Sequence, residues 1–377
     1  MKIYNAKILY GEDFELIEGS LEIKNGSISK IREGNATGDF NAKGSIVIPS
    51  FINAHVHLLD ALGKDMWYGK TLDELVRPPN SLKHKLLKKP ESKIKSAANA
   101  AVKEMLMSGT TYYCEFSNIP KISTEILKIS RMDGKILYEP IEVMDDNEVW
   151  ENILDNALVK NILKVASECE GLGISGVCEF SDAILQKLAS LSKYFALHAA
   201  EHKISQERSI RQTGRTEIER AVKIKPKFLV HLTHPLKNDL ILLEKNKIPV
   251  ICCPRANAVL NVGSPPIPQL LRNKVLVALG TDNVMLNSPD ILRELEFVAK
   301  LWPELEPQTI LKLVTVNPAK IFGLNKGVAQ EGKDADLILL KPLENLEYSH
   351  DIVASIIHRA TQRNIWKVYY KGRAIYG

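Results

Sequence analysis

Residues Ser45–Asp60 read SIVIPSFINAHVHLLD. An apolar run, Ile46–Ile52, leads into His55-Val56-His57. A short apolar run bounded by polar residues reads as a buried strand. Side chains alternate on an extended chain, so His55 and His57 share one face and Val56 takes the other. Two imidazoles held this way at a strand end can reach one metal ion. Hydrogen-bonded structural histidines would give the same pattern. The metal reading therefore depends on finding more ligands at the ends of other strands.

Working outward from this stretch, apolar runs alternate with helical segments. The runs are Ile46–Ile52, Thr110–Phe116, Ile136–Val143, Gly173–Cys178, Phe195–His198, Phe228–His231, Pro249–Cys253 and Val275–Gly280. Between the first two, Ser92–Ser108 places Ile94, Ala97, Ala98, Ala101, Val102, Met105 and Leu106 at three- and four-residue steps, with Gly109 as a stop. Helical patterns also cover 121–131, 149–168 and 288–323. Strand–helix alternation implies a parallel sheet, and eight units imply an α/β fold of the (β/α)8 TIM-like barrel kind. The chain ends read differently. Residues 1–44 are short strands with a hairpin signal at Asn25-Gly26. Strand patterns return at Asp334–Leu340, Asn364–Tyr370 and Ala374–Tyr376. The expected organisation is a barrel over 45–326, flanked by a small β-sandwich built from 1–44 and 327–377.

Composition narrows the function classes. The 377 residues carry 45% apolar and 25% charged side chains with a formal net charge of +5, ordinary for a globular protein. Basic residues are spread along the chain, so nucleic-acid binding is not expected. The densest cluster, Lys83–Lys89, reads as a solvated helix face. The five cysteines form no CxxC pair, which fits free thiols in a reducing compartment. No signal-peptide pattern and no long apolar run is visible, so a cytoplasmic protein without membrane association is expected.

Catalytic groups of a (β/α)8 barrel sit at the C-terminal ends of its strands. Those ends carry His55 and His57 (first), His198 with Glu201 (fifth), His231 with His234 nearby (sixth) and Asp282 (eighth). The second, fourth and seventh end at Glu115, Glu179 and Arg255. Three histidines and a carboxylate are borderline N/O donors suited to Zn²⁺ or Fe²⁺, leaving a position open for water.

At these residues the chain resembles the amidohydrolase superfamily, in particular its mononuclear aminohydrolases: the cytosine, guanine and adenosine-type deaminases and the triazine hydrolases. The resemblance rests on IPSFINAHVHL, SGTT at 108–111, HAAE at 198–201, VHLTH at 230–234 and GTDN at 280–283. TVNPAKIFGL at 315–324 and GVAQEGKDADLILL at 327–340 extend it to the chain's end. It implies that His55, His57, His198 and Asp282 bind one divalent transition metal, zinc ahead of iron. It also implies that Glu201 shuttles protons, that His231 orients the reacting water, and that Asp282 takes part in catalysis as well as ligation. Binuclear relatives carry a bridging lysine at the fourth strand end. GISGVCEFSD at 173–182 has none, which favours one metal. Ser50 stands where the family usually has glycine.

The implied reaction is hydrolytic deamination of an amino-substituted N-heterocycle of purine, pyrimidine, pterin or triazine type. Water acidified by the metal adds to the ring and ammonia leaves. Two alternatives are a cyclic-amide ring hydrolase of the imidazolonepropionase type and a barrel that has become a binding protein. The partner is a small molecule, with a homodimer as the assembly considered. The insertion at about 58–90 is long enough to be a lid. It carries Lys64, Trp67, Tyr68, Lys70, Arg77, Lys83, His84 and Lys85. Trp67, His84, Arg255 and Asn257 are the expected substrate contacts, with Arg255 gripping an anionic substituent.

Overall fold

A computed structural model describes residues 1–76, 80–141 and 155–377. Two sheets organise them. One has nine strands in a single curled order, and the other has seven strands drawn from both chain ends. The expected lid cation Arg77 lies outside the described residues, as do parts of the runs expected at 136–143 and 149–168.

The barrel strands are Phe51–His57, Thr110–Ser117, Asp133–Tyr138, Gly171–Ile174, Phe195–Ala199, Leu229–His231, Val250–Cys252 and Val277–Leu279. All neighbouring pairs are parallel. The eighth strand breaks at Gly280-Thr281 and resumes as Asp282–Asn283, which pairs with Val56 and His57 of the first. That pairing closes the barrel. It needs Gly280, because a Cβ there would lie 2.7 Å from the backbone nitrogen and oxygen of His55.

The fully buried first strand shows why the sequence reads as it does: all seven of its residues are buried. Ala54, Cys114, Phe116, Ala196, Phe228, Val230, Ile251 and Ala278 fill one apolar cluster at the barrel's centre. Side chains on the outer faces pack on surrounding helices. Ile94, Ala98, Ala101, Val102 and Met105 of helix Glu91–Met107 meet Val56 and Tyr113 in this way.

The first apolar run divides where the sequence reading joined it. Phe40–Pro49 pairs with Lys2–Tyr10 and Leu337–Leu340 in the seven-stranded sheet. Only Phe51–His57 belongs to the barrel. The break falls at Ser50, whose amide donates to the Asp336 carbonyl (3.0 Å) and whose hydroxyl meets that of Thr111 (2.6 Å). A buried Lys326–Asp336 ion pair (2.6 Å) lies against the same threonine. Sequence alone gives a continuous apolar run because both strands are buried on both faces. The terminal strands form one sheet around Leu21, Val47, Leu337, Leu339 and their neighbours. Among the described residues no helix is long and apolar enough to cross a membrane.

Candidate active site

His55, His57, His198 and Asp282 each turn one ligand-type atom into a space where these atoms lie within 4.8 Å of one another. His55 Nε2 is 3.1 Å from His198 Nε2. Asp282 Oδ1 is 3.5 Å from both His55 Nε2 and His57 Nε2. The sequence explains the first pair directly: alternation puts both rings on one face, with centroids 4.7 Å apart.

Backbone carbonyls set the tautomers. His57 Nδ1 lies 3.1 Å from the Phe116 carbonyl, and His198 Nδ1 lies 2.9 Å from that of Ile174. A carbonyl only accepts, so each Nδ1 carries the proton and each Nε2 turns a lone pair inward. Burial holds His55 and His198 down to about 3, with help from Lys83 for the first and from His55 for the second. His57 is held well below its ordinary value by burial, Lys83 and its two neighbouring rings. Neutral imidazoles with convergent lone pairs, plus one carboxylate, are the donor chemistry a divalent cation requires. The four residues fit a single metal site.

His231 is arranged the other way. The Asn257 amide donates to its Nδ1 (3.1 Å), so its Nε2 carries the proton. That nitrogen lies 3.6 Å from Glu201 Oε2. Glu201, His231 and Asp282 form a second convergent group. Burial pushes Glu201 up to about 8, reinforced by Asp282, Glu217, Glu179 and Glu139.

Backbone strain marks the same strand ends. Ala200, His231, Leu232 and Asp282 all have positive φ, at 52°, 76°, 52° and 58°. Strict alternation from the inward Val230 would turn His231 outward. Its left-handed backbone breaks that alternation. Strained backbone of this kind persists where the surroundings over-determine it, commonly at functional sites.

These groups open into a cavity of about 980 Å³. It is lined by His57, His198, Glu201, His231 and Asp282, and also by Lys83, His84, Glu139, Glu179 and Glu217. His84, an expected contact, is on its wall, where its Nδ1 meets the Ser81 hydroxyl (2.7 Å). Burial, Lys83 and Lys88 hold that ring down to about 4.

The other expected substrate contacts are not on the wall. Trp67 packs against the central cluster and stacks on Tyr68 with centroids 4.0 Å apart. Asn257 is buried behind His231. Arg255 points away from the cavity. Its guanidinium reaches Glu294 (3.3 Å) and the Ser288 carbonyl (3.2 Å). Glu294 is fully buried, and a buried carboxylate needs a cation. That partner lies almost forty residues downstream and no local pattern announces it.

Lys83 departs furthest from its sequence reading. The Lys83–Lys89 cluster reads as a solvated helix face, yet Lys83 is buried. Its ammonium is 2.5 Å from Glu139 and 3.7 Å from Asp60. Burial alone would lower its pKa, but Asp60 and Glu139 outweigh it and the group stays charged. Glu139 directly follows the third barrel strand, at a position that sequence reasoning passed over. Its signal lies in the sequence all the same: an acid follows the apolar Ile136–Tyr138 at a strand's C-terminal end.

The sequence matches the amidohydrolase family over residues 46–375, and the chain belongs to that family. It is an enzyme of the aminohydrolase kind. An uncharacterized protein of Methanocaldococcus jannaschii is 38% identical, with 96% of each chain covered. A 5-methylthioadenosine/S-adenosylhomocysteine deaminase of Thermococcus sibiricus is 26% identical, covering 99% of this chain and 93% of that one. The fold is that of an adenosine deaminase from Xanthomonas campestris solved with bound zinc. The TM-score is 0.81 at 20% identity, over 99% of this chain and 92% of that structure.

Proposed function

We propose that the protein is a hydrolytic deaminase of an amino-substituted N-heterocycle, working with one zinc ion held by His55, His57, His198 and Asp282. The observation that carries this reading is the contrast in tautomers. Two ligand histidines turn lone pairs inward, while His231 turns an N–H toward the same space. The deaminase relative and the zinc-bearing structure of the same fold support it.

The ion, when bound, acidifies water and polarises the ring carbon's surroundings. The chain's own groups do the rest. Asp282 accepts the proton of the attacking water. His231 Nε2–H orients the water's oxygen. Glu201, raised to about 8, carries a proton at neutral pH and delivers it to the ring nitrogen next to the carbon under attack. It then relays a proton to the departing amine. Water and the amidine-like edge give a ring carbonyl, a ring N–H and ammonia, so atoms and charge balance. The test is an ammonia-release screen of the zinc-loaded enzyme over aminopurines, aminopyrimidines, pterins and aminotriazines. Ring opening without ammonia would instead assign the cyclic-amide hydrolase reaction. No turnover of either kind would reject both.

A further inference from the structure

Arg255 and the cations of the insertion at about 58–90 suggest an anion-binding cavity, but acids outnumber bases on the wall. Among the described residues Glu139, Glu179, Glu201 and Glu217 line it, against Lys83 and Arg208. Three of the four glutamates have an evident task. Glu139 is bound to Lys83. Glu217 is buried and accepts from the Ala200 amide (2.7 Å) and the Ser205 hydroxyl (3.2 Å). Glu201 stands beside His231 as the proton carrier.

Glu179 has no such task. It ends the short turn Val177–Glu179, which follows the fourth barrel strand. The Ser175 hydroxyl donates to its Oε2 and steers the carboxylate into the cavity. Among the described residues no cation pairs with it. Burial raises it to about 7; the Ser175 hydroxyl and, less, Lys83 hold it down, while Glu139 and Glu217 add to the rise. Lys83 in turn is already shared between Glu139 and Asp60. A carboxylate in this setting is costly to ionise alone and gains most when an incoming cation pairs with it.

We infer that Glu179 is a specificity residue, and that the substrate is an amino-heterocycle carrying a cationic substituent, an ammonium or guanidinium group, seated on Glu179. This rests on the deaminase reading above and deepens it. A substrate's carboxylate or phosphate would lie against Glu179 itself, and Lys83, already committed to Glu139 and Asp60, gives it little balance. A neutral hydroxylated substituent can donate to Glu179 but leaves the carboxylate's charge uncompensated.

The test compares one aminated ring bearing aminoalkyl, hydroxyalkyl or carboxyalkyl arms of equal length, with the zinc-loaded wild type, Glu179→Gln and Ser175→Ala. Wild type is expected to favour the aminoalkyl over the carboxyalkyl arm by about 100-fold in kcat/KM, through KM. In Glu179→Gln that ratio collapses toward one while bound zinc is unchanged. Ser175→Ala, the milder variant, narrows it several-fold. Three results would overturn the inference. The carboxyalkyl arm could be preferred, the hydroxyalkyl arm could outrank the aminoalkyl one, or Glu179→Gln could lower all three equally. Should no arm release ammonia, the deaminase reading fails, and calorimetric binding of the same compounds to zinc-loaded protein decides this point separately. Tighter binding of the aminoalkyl compound to wild type, lost in Glu179→Gln, sustains it. Equal binding of all three rejects it.

Discussion

The inner end of the cavity and its wall are built by different rules. At the inner end, His55, His57, His198 and Asp282 come from strand termini, and their positions follow from alternation and barrel closure. On the wall, Lys83 and His84 come from the insertion after the first strand, and Glu139 and Glu179 come from the connections after the third and fourth. Strand geometry places the first group. In the second, charges select one another across long stretches of sequence, as Lys83 does Glu139 and Asp60. Residue type at the inner end therefore predicts position and chemistry together. On the wall, residue type predicts little until the partner is known.

The largest expected effect breaks the inner end itself. His55→Ala and Asp282→Ala should each lose both the metal and all measurable turnover. Wild type should hold about one transition metal per chain, as four ligands with one open position require. Elemental analysis checks both points, and two equivalents per chain would reject the single-metal assignment.

Glu201→Gln separates ligation from proton transfer within the same small space. Metal content and melting temperature should stay at wild-type values while kcat falls by roughly 10²–10⁴-fold. Loss of the metal from this variant would make Glu201 a ligand, and near-normal turnover would move the proton carrier elsewhere.

Arg255→Met then tests whether the seventh strand end belongs to the wall. Glu294 would be left buried without its cation, which in comparable pairs costs roughly 3–5 kcal/mol. Thermal unfolding should register that loss. The ranking of substrates by kcat/KM should not move, since the guanidinium is committed to Glu294 and to the carbonyls of Ser288 and Asp290. A selective change for an anionic substrate would return Arg255 to the role suggested by its residue type.

The same contrast between inner end and wall decides how much of the molecule is legible in its sequence. The barrel is legible because each strand is a buried apolar run, and the metal cluster because ligand-type residues recur at strand ends. The division at Ser50 is hidden, since Ile46–Pro49 and Phe51–Ile52 read as one apolar run and both strands are buried there, although they serve different sheets. His231 is assigned through family resemblance. Its inward turn depends on a positive φ that no periodicity reveals. Arg255 and Lys83 mislead for one reason: a cation's role depends on whether a buried carboxylate claims it. Glu294 and Glu139 are far from them in sequence.

The smallest effect concerns an acid that belongs to neither side. Glu115 lies on the second barrel strand, and its register partner is the outward-facing Val56. It is fully buried and both carboxyl oxygens lack a hydrogen bond of good geometry, although Ser123 and the Leu58 amide lie close. Burial pushes it up to about 8 from an ordinary value of 4.5, with Asp60 adding to the effect. Between those two pH values the unfolded chain has released this proton and the folded chain has kept it. Folding therefore takes up a proton, and the contribution to stability declines as pH rises from 4.5 through about 8. Below that window the penalty is absent. Glu115→Gln removes the titration while keeping the shape. Relative to wild type, it should be nearly neutral near pH 4.5 and increasingly stabilising toward pH 8, by at most about 1.4 kcal/mol for each unit of pH. Denaturant unfolding across that range measures the difference directly. A gap between the two proteins that stays constant with pH would mean that Glu115 ionises as readily folded as unfolded, stabilised by a partner on the outer face of the barrel.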